Sequence, residues 1–181
     1  ESSCAFTADC LNMSAKVDEL VNVLISPKYG GLMTPSEIES VRNIGEGLAE
    51  VFLRDSVKGC KFITSYIFSP INEFLGTQLF SHVWEIDYTS NEIAQSLIAT
   101  MHDFKADLDV YLPTWAIHKV VELCMTETIY FYLQNFLFSC DSNRQFGSVG
   151  VRRMKMDVSL LKEEFTKMEE CFGAMKTNLP I

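Results

Sequence analysis

The stretch from residue 34 to residue 70, "TPSEIESVRNIGEGLAEVFLRDSVKGCKFITSYIFSP", carries the clearest helical pattern in the chain. Thr34 is suited to the N-cap, Pro35 to the first helical position, and Glu37 completes a capping box three residues after the cap. The pattern predicts one long helix that begins at residue 35 and reaches Ser69-Pro70. Its apolar residues recur at helical spacing: Ile38, Val41, Ile44, Leu48, Val51, Phe52, Phe62, Ile63, Tyr66 and Ile67.

Two further helices are predicted next to this stretch. A first helix covers 7–25 and ends at Ser26-Pro27, where helix breakers begin. Its apolar residues are Leu11, Val17, Leu20, Val21, Leu24 and Ile25. Pro70 either kinks the long helix or separates it from a third one. The apolar face of that third helix is Phe74, Leu75, Leu79, Phe80 and Trp84.

The remaining helices are predicted downstream. Thr89 and Glu92 form a second capping box, which opens a helix over 90–112. The next helix, from Thr114 to 137, is apolar on more than one side, which favours a central position. A last helix is predicted over 149–172.

The composition is that of a packed globular protein, since 48% of the 181 residues are hydrophobic and 22% are charged. No alternation typical of strands appears, so we predict an all-α, elongated bundle of about six helices in a single domain over 1–181. The chain begins at Glu1 and shows no signal peptide and no long apolar run. We therefore expect a soluble piece of a longer chain.

The charge of the chain argues against nucleic acid as a partner. Acidic residues outnumber basic ones 24 to 15, which gives a net charge of -9, whereas phosphate binding needs a basic surface. The charge is uneven, because residues 144–181 carry 7 basic and 5 acidic side chains, a net charge of +2. The basic residues of this segment include a cluster in "VRRMKMDVSLLKEEF", residues 151–165.

This basic cluster, Arg152, Arg153 and Lys155, is the candidate partner-binding site. Cations near a helix N-terminus are disfavoured by the helix dipole, so helix stability does not explain them. One interpretation is a contact with an acidic partner or a phosphoinositide. The alternative is a solvated helix start, in which Arg153 faces Asp157 at four-residue spacing.

Six cysteines, Cys4, Cys10, Cys60, Cys124, Cys140 and Cys171, are spread along the chain without a CxxC pair. In a chain of this length they are expected to be reduced and cytosolic. Free cysteine is among the most buried residue types, so most are expected in the core. Metal and disulfide roles are the alternatives.

No pattern of residues indicates an enzyme, a metal site or a cofactor. Gly45 and Gly47 lack a preceding strand, and a close approach between helices explains them better than a dinucleotide site. His118 with Glu122, and His82 with Glu85, supply two metal ligands each where three or four are needed. His102 and Asp103 are adjacent in sequence, and the side chains of adjacent residues do not face each other on a helix. The pair is therefore poor evidence for a catalytic dyad.

From residue 60 onward, four segments resemble the C-terminal region of the Sec-six subunit of the exocyst and its relatives, including the M-Sec proteins. "FLGTQLFSHVWE" (74–85) is similar to the family's amphipathic helix ending at Trp, and "LIATMHDFKADLDVYLP" (97–113) to its "ATxxDYxxD" segment. "HKVVELCMTETIYFYLQNFL" (118–137) resembles the helix leading to a tyrosine-leucine pair, here Tyr132-Leu133. "RRMKMDVSLLKEEF" (152–165) is similar to the closing "RxxxDxxxLxxFF" element, with Glu164 in place of the first aromatic residue.

The resemblance implies the C-terminal part of a rod of stacked helical bundles in the complex that tethers secretory vesicles to the plasma membrane. The implied partners are other exocyst subunits, SNARE proteins or their regulators, and a small GTPase. The implied place is the cytoplasm, peripheral at plasma-membrane sites of exocytosis. The alternative function is a peripheral membrane-surface module that binds anionic lipids or a small GTPase, since cations attract anionic lipid at about 1 kcal/mol each.

Overall fold

The computed structural model describes residues 1–80, 92–139 and 147–176, and these residues form six helices and no strand. The prediction of an all-α helical bundle is confirmed. Within the described ranges, no helix combines the length and the apolar character needed to cross a membrane. The helices are α1 (Ser2–Leu24), α2 (Pro27–Gly30), α3 (Pro35–Phe74), α4 (Glu92–Tyr111), α5 (Thr114–Ser139) and α6 (Ser148–Lys176).

The long helix α3 begins as its sequence predicts. The Thr34 backbone N–H and hydroxyl donate to Glu37 Oε2 at 2.7 and 2.8 Å, and the Glu37 N–H donates to Thr34 Oγ1 at 3.3 Å. These bonds satisfy amide donors that have no partner inside the first helical turn. They also lower the pKa of the Glu37 carboxyl. The second predicted capping box is only partly visible, since α4 begins at Glu92 and Thr89 lies outside the described residues.

Pro70 lies inside α3, which continues to Phe74. A separate helix starting at Pro70 is therefore wrong. Pro70 is exposed, so water can satisfy the carbonyl that a prolyl nitrogen cannot bond. The neighbouring apolar side chains Ile67 and Ile71 are 1% and 4% exposed, and their burial holds this end of the helix in place. Trp84, assigned to the same predicted helix, lies outside the described residues.

The chain divides into two compact units. The first contains Glu1–Ile63 and Leu108–Val120, and the second contains Thr64–Asp107 and Val121–Ile181. The single domain predicted over 1–181 stays a prediction.

In the first unit, α1 and α3 pack antiparallel at small residues. Gly45 faces Val21 so closely that an added Cβ would overlap the valine side chain, and Gly59 faces Thr7 in the same way. Between these two contacts, the Ser14 hydroxyl donates to the backbone carbonyl of Ala49 at 3.2 Å. The absence of a side chain at the two glycines lets the helix backbones approach closely. Gly45 thus has the role predicted for Gly45 and Gly47, whereas Gly47 faces open space and the prediction is wrong for it.

The apolar stripes predicted for α1 and α3 are only partly buried. Leu20 is 62% exposed and Ile44 is 71% exposed, whereas Cys60, Thr7 and Ser56 are fully enclosed. The reason is the close approach itself, because the space between two helices at glycine contacts admits small side chains and excludes leucine and isoleucine. Helical spacing identified the helices but not which face would be covered.

The two neighbouring glycines allow a matched test of this packing. Gly47 has open space around its Cα, so Gly47→Ala is expected to stabilise the protein by about 0.5–1 kcal/mol through helix propensity. Gly45→Ala brings the same propensity gain but collides with the stiff side chain of Val21. We expect a net loss of about 1–3 kcal/mol, as for overpacked sites. Urea unfolding of both variants measures the difference, and equal stabilisation would contradict the close approach.

Four of the six cysteines lie in the interior, as predicted. Cys4, Cys10, Cys60 and Cys124 are buried and free, whereas Cys171 is exposed and Cys140 lies outside the described residues. Burial raises the pKa of Cys60 to about 11 and that of Cys124 to about 12. Because the thiolate is the reactive form, these two thiols are unreactive in the folded protein.

This difference predicts the order of cysteine alkylation. Iodoacetamide at mildly alkaline pH is expected to modify Cys171 in the folded protein and to leave Cys60 and Cys124 unmodified until urea unfolds the chain. Peptide mass spectrometry after timed quenching measures each site. Modification of Cys124 at the rate of Cys171 under native conditions would show that the core around α5 is open.

Candidate functional site

Helix α5 exposes large apolar side chains on one side. Cys124, Thr128 and Phe131 are buried, as expected of a central helix, but Ile129 is 57% and Leu133 is 52% exposed. A fully central position for α5 is therefore wrong for the described residues. Exposed apolar surface of this kind marks a contact site when it is contiguous.

The exposed side of α5 continues into an apolar groove shared with α6, with a volume of about 640 Å³. This size lies in the range of about 300–1,000 Å³ found for binding clefts. The base of the groove is formed by buried or half-buried side chains: Phe80, Met125, Thr128, Tyr132, Phe136, Met154, Leu161 and Phe165. Its exposed edges are Ile129 and Leu133 on α5, and Val158, Lys162, Thr166 and Glu169 on α6.

An aromatic cluster supports the base of the apolar groove. The Phe80 ring meets the rings of Tyr132 and Phe136 edge to face, with centroids 6.3 and 5.8 Å apart. Phe80 has a φ of 61°, a left-handed conformation that costs a non-glycine residue about 1–2 kcal/mol. Its side chain is 1% exposed, and the burial of the ring against two aromatic neighbours offsets that strain.

A buried polar contact joins α5 to α6 beside the groove. The Tyr132 hydroxyl donates to Asp157 Oδ2 at 3.1 Å. Asp157 is 1% and Arg153 is 8% exposed, and they lie four residues apart on α6. Burial and the Asp157 carboxylate raise the pKa of Tyr132, whereas the Arg153 charge lowers it. Tyr132 therefore stays a neutral donor at physiological pH.

The structure separates the three cations of the predicted partner site. Arg152 and Lys155 are exposed on α6, three residues apart and on one side of the helix. Arg153 is buried with Asp157 and Tyr132, so it does not reach a partner in this conformation. The binding role of all three cations stays a prediction, and the buried position of Arg153 favours Arg152 and Lys155 as the residues that a partner can reach. The alternative, a solvated helix start, describes Arg152 and Lys155 but not Arg153, which is buried one turn from the buried Asp157.

Adjacent arginines on α6 give a matched test of the buried position of Arg153. Arg153→Met keeps an apolar stem but removes the buried positive charge one turn from the buried Asp157 carboxylate, and we expect a loss of about 3–5 kcal/mol. Arg152→Met removes an exposed charge and is expected to change stability by less than about 0.5 kcal/mol. Thermal and urea unfolding measure both variants. Equal, small effects would mean that Arg153 is not a structural residue.

Of the three histidines, only His102 and His118 lie in the part of the chain that the structure describes. His102 Nε2 lies 2.8 Å from Glu164 Oε1, which ties α4 to α6 across 62 residues of sequence. No pattern in the sequence indicated this contact. His118 and Glu122 lie one turn apart on α5, while His82 and Glu85 are outside the described residues. In the part of the chain that the structure describes, no three His, Cys, Asp or Glu side chains gather where they could hold a metal ion.

Comparisons with protein-family models, with curated proteins and with solved structures find no match to this chain. The resemblance to the exocyst subunit thus rests on the four sequence segments alone. Two of them contribute residues that meet in the structure: Tyr132 of the tyrosine-leucine pair bonds Asp157 of the closing element. Sequence reasoning placed both residues in the resembling segments but did not predict their contact.

Proposed function

We propose that this chain is a non-enzymatic interaction module of an exocyst-type vesicle-tethering complex. In this proposal it provides protein–protein contacts that help to dock secretory vesicles to the plasma membrane. The observation that carries the proposal is the apolar groove, whose edge residues Ile129, Leu133 and Val158 are each more than half exposed. Exposed apolar surface is unfavourable in water and becomes favourable when a partner covers it.

The positions of the resembling segments give a second line of support. Leu133 of the tyrosine-leucine pair and Phe165 of the closing element both line the apolar groove. Arg153, Asp157 and Leu161, which match the spaced residues of the closing element, are all buried. Buried members of the closing element thus hold α6 in place, and members of two resembling segments line the groove.

The proposed partners are those that the resemblance implies: other exocyst subunits, SNARE proteins or their regulators, and a small GTPase. The proposed location is peripheral, at the cytoplasmic face of the plasma membrane. A second candidate function is a membrane-surface module that binds anionic lipid, which the exposed Arg152 and Lys155 favour. The net charge of -9 opposes it, because an acidic protein is repelled by an anionic surface.

The proposed function predicts the proteins that the chain retains. The purified chain, immobilised and exposed to lysate from its source cells at low and at moderate salt, is expected to enrich exocyst subunits or SNARE proteins at both salt concentrations. Apolar contacts persist as ionic strength rises, whereas contacts between exposed charges weaken. Quantitative mass spectrometry measures enrichment against an unrelated helical protein of similar net charge.

A parallel flotation experiment distinguishes the second candidate. If no exocyst subunit or SNARE protein is enriched, and the chain floats with phosphatidylserine vesicles but not with phosphatidylcholine vesicles, the tethering proposal is overturned. A loss of that flotation at moderate salt would identify the interaction as electrostatic.

A further inference from the structure

One edge of the apolar groove carries a repeating pattern of apolar and positive side chains. On α6, Val151, Lys155, Val158 and Lys162 follow one another at spacings of four, three and four residues. This spacing places them in one row along the helix. All four side chains are exposed, and Val158 and Lys162 line the apolar groove directly. We refer to these four residues as the α6 stripe.

The opposite edge of the groove has a different character. None of the α5 residues that line the groove is charged, and Ile129 and Leu133 stand at the groove edge more than half exposed. The apolar groove is therefore bordered by an apolar wall on α5 and by an α6 edge on which Lys162 lines the groove. Lys155 lies about two turns before Lys162 in the same row. The α6 edge is thus positive over 155–162 and carries the negative Glu169 at its far end.

These two edges define the chemistry of a helix that would fill the groove. Its apolar face would cover the groove and the α5 wall, as in other helix-in-groove contacts. Acidic side chains at one border of that face would lie opposite Lys155 and Lys162, since complementary charges across an interface fix register and partner choice. The concave shape favours a helix over a bilayer, because a membrane surface cannot enter a groove whose base is buried.

We propose that the apolar groove and the α6 stripe form a docking site for an acidic amphipathic helix of a partner protein. The inference rests on the proposed function, because it names the class of partner that the interaction module receives. Glu169, at the far end of the groove on α6, adds a direction. A partner helix with a basic residue at that end and acidic residues along the rest matches the site in one orientation only.

The test uses two labelled helical peptides of about five turns with identical leucine faces. One carries glutamates and the other lysines beside that face. Fluorescence anisotropy with the full 181-residue chain is expected to show binding of the acidic peptide at least about tenfold tighter than binding of the basic one. Equal affinity for the two peptides would overturn the proposal, because it would leave the cations without a role in recognition.

Matched double variants separate the groove from general surface effects. Leu133→Gln with Val158→Gln alters two groove edges without changing the net charge and is expected to weaken acidic-peptide binding by about tenfold or more. The control, Leu20→Gln with Val110→Gln, changes a leucine and a valine that are 62% and 75% exposed in the first unit. Unchanged binding in the control is expected. An equal loss in both double variants would overturn the site.

A second pair of variants tests the charges. Lys155→Glu with Lys162→Glu is expected to weaken acidic-peptide binding about five- to tenfold and to strengthen basic-peptide binding. Lys16→Glu with Lys61→Glu produces the same change in net charge on exposed lysines of the first unit and is expected to have little effect. If phosphatidylserine vesicles compete for the chain through Lys155 and Lys162 while neither peptide binds, the site is a membrane contact and the inference is overturned.

The lysate experiment distinguishes a failure of this inference from a failure of the proposed function. Retention of exocyst subunits by the Leu133→Gln and Val158→Gln variant at the level of the unmodified chain would leave the function in place and remove the groove as the docking site. Binding of the acidic peptide without retention of any exocyst subunit or SNARE protein would support the site and remove the tethering assignment.

Discussion

The hydrogen bond from the Tyr132 hydroxyl to the Asp157 carboxylate fixes the relation between α5 and α6 on which the apolar groove depends. Both helices carry apolar residues on several sides, and apolar contacts alone do not select one rotation of a helix. A buried polar pair does, because leaving one of its members unsatisfied costs about 1–3 kcal/mol. A shift of one residue along either helix would rotate its side chains by about 100° and break the bond. Leu133 and Val158 therefore keep their places at opposite edges of the groove.

Helix α6 divides its charges between two tasks. Arg153 and Asp157 are buried and belong to the interior of the second unit, whereas Lys155 and Lys162 are exposed and Lys162 lines the groove. The buried and the exposed charges differ in role because the protein interior has a lower dielectric constant than water. A buried charge requires a partner within the protein, and an exposed charge interacts weakly with its neighbours and stays available to an incoming molecule. Of these positive residues on α6, Arg153 is thus buried in the fold, whereas Lys155 and Lys162 place positive charge on the surface.

The first unit follows another packing rule. Its helices α1 and α3 meet at glycine, threonine and serine, which brings the backbones close together but encloses little apolar side-chain volume. Large apolar residues such as Leu20, Ile44 and Phe62 remain exposed beside this contact. The second unit encloses aromatic rings and a polar pair instead. The described contacts between helices therefore differ in character between the two units, and both units leave large apolar side chains exposed.

The sequence by itself determined the helices, because their signals are local. The capping box at Thr34 and Glu37 and the three-to-four apolar spacing act within one or two turns, so the start of α3 and the all-α class follow from neighbouring residues. The burial of most cysteines also followed from residue type. Helix ends were less well defined: Pro70 did not end α3, since its exposed position lets the helix continue.

Only the tertiary structure decided which faces of those helices are covered. Arg152 and Arg153 are adjacent in sequence, yet one is exposed and the other buried, because neighbouring residues point about 100° apart on a helix. The contacts between Tyr132 and Asp157 and between His102 and Glu164 join residues 25 and 62 positions apart. The spacing of residues within one helix shows which side chains share a face. Whether that face is buried depends on a second helix, and the packing of the whole unit sets how that helix approaches.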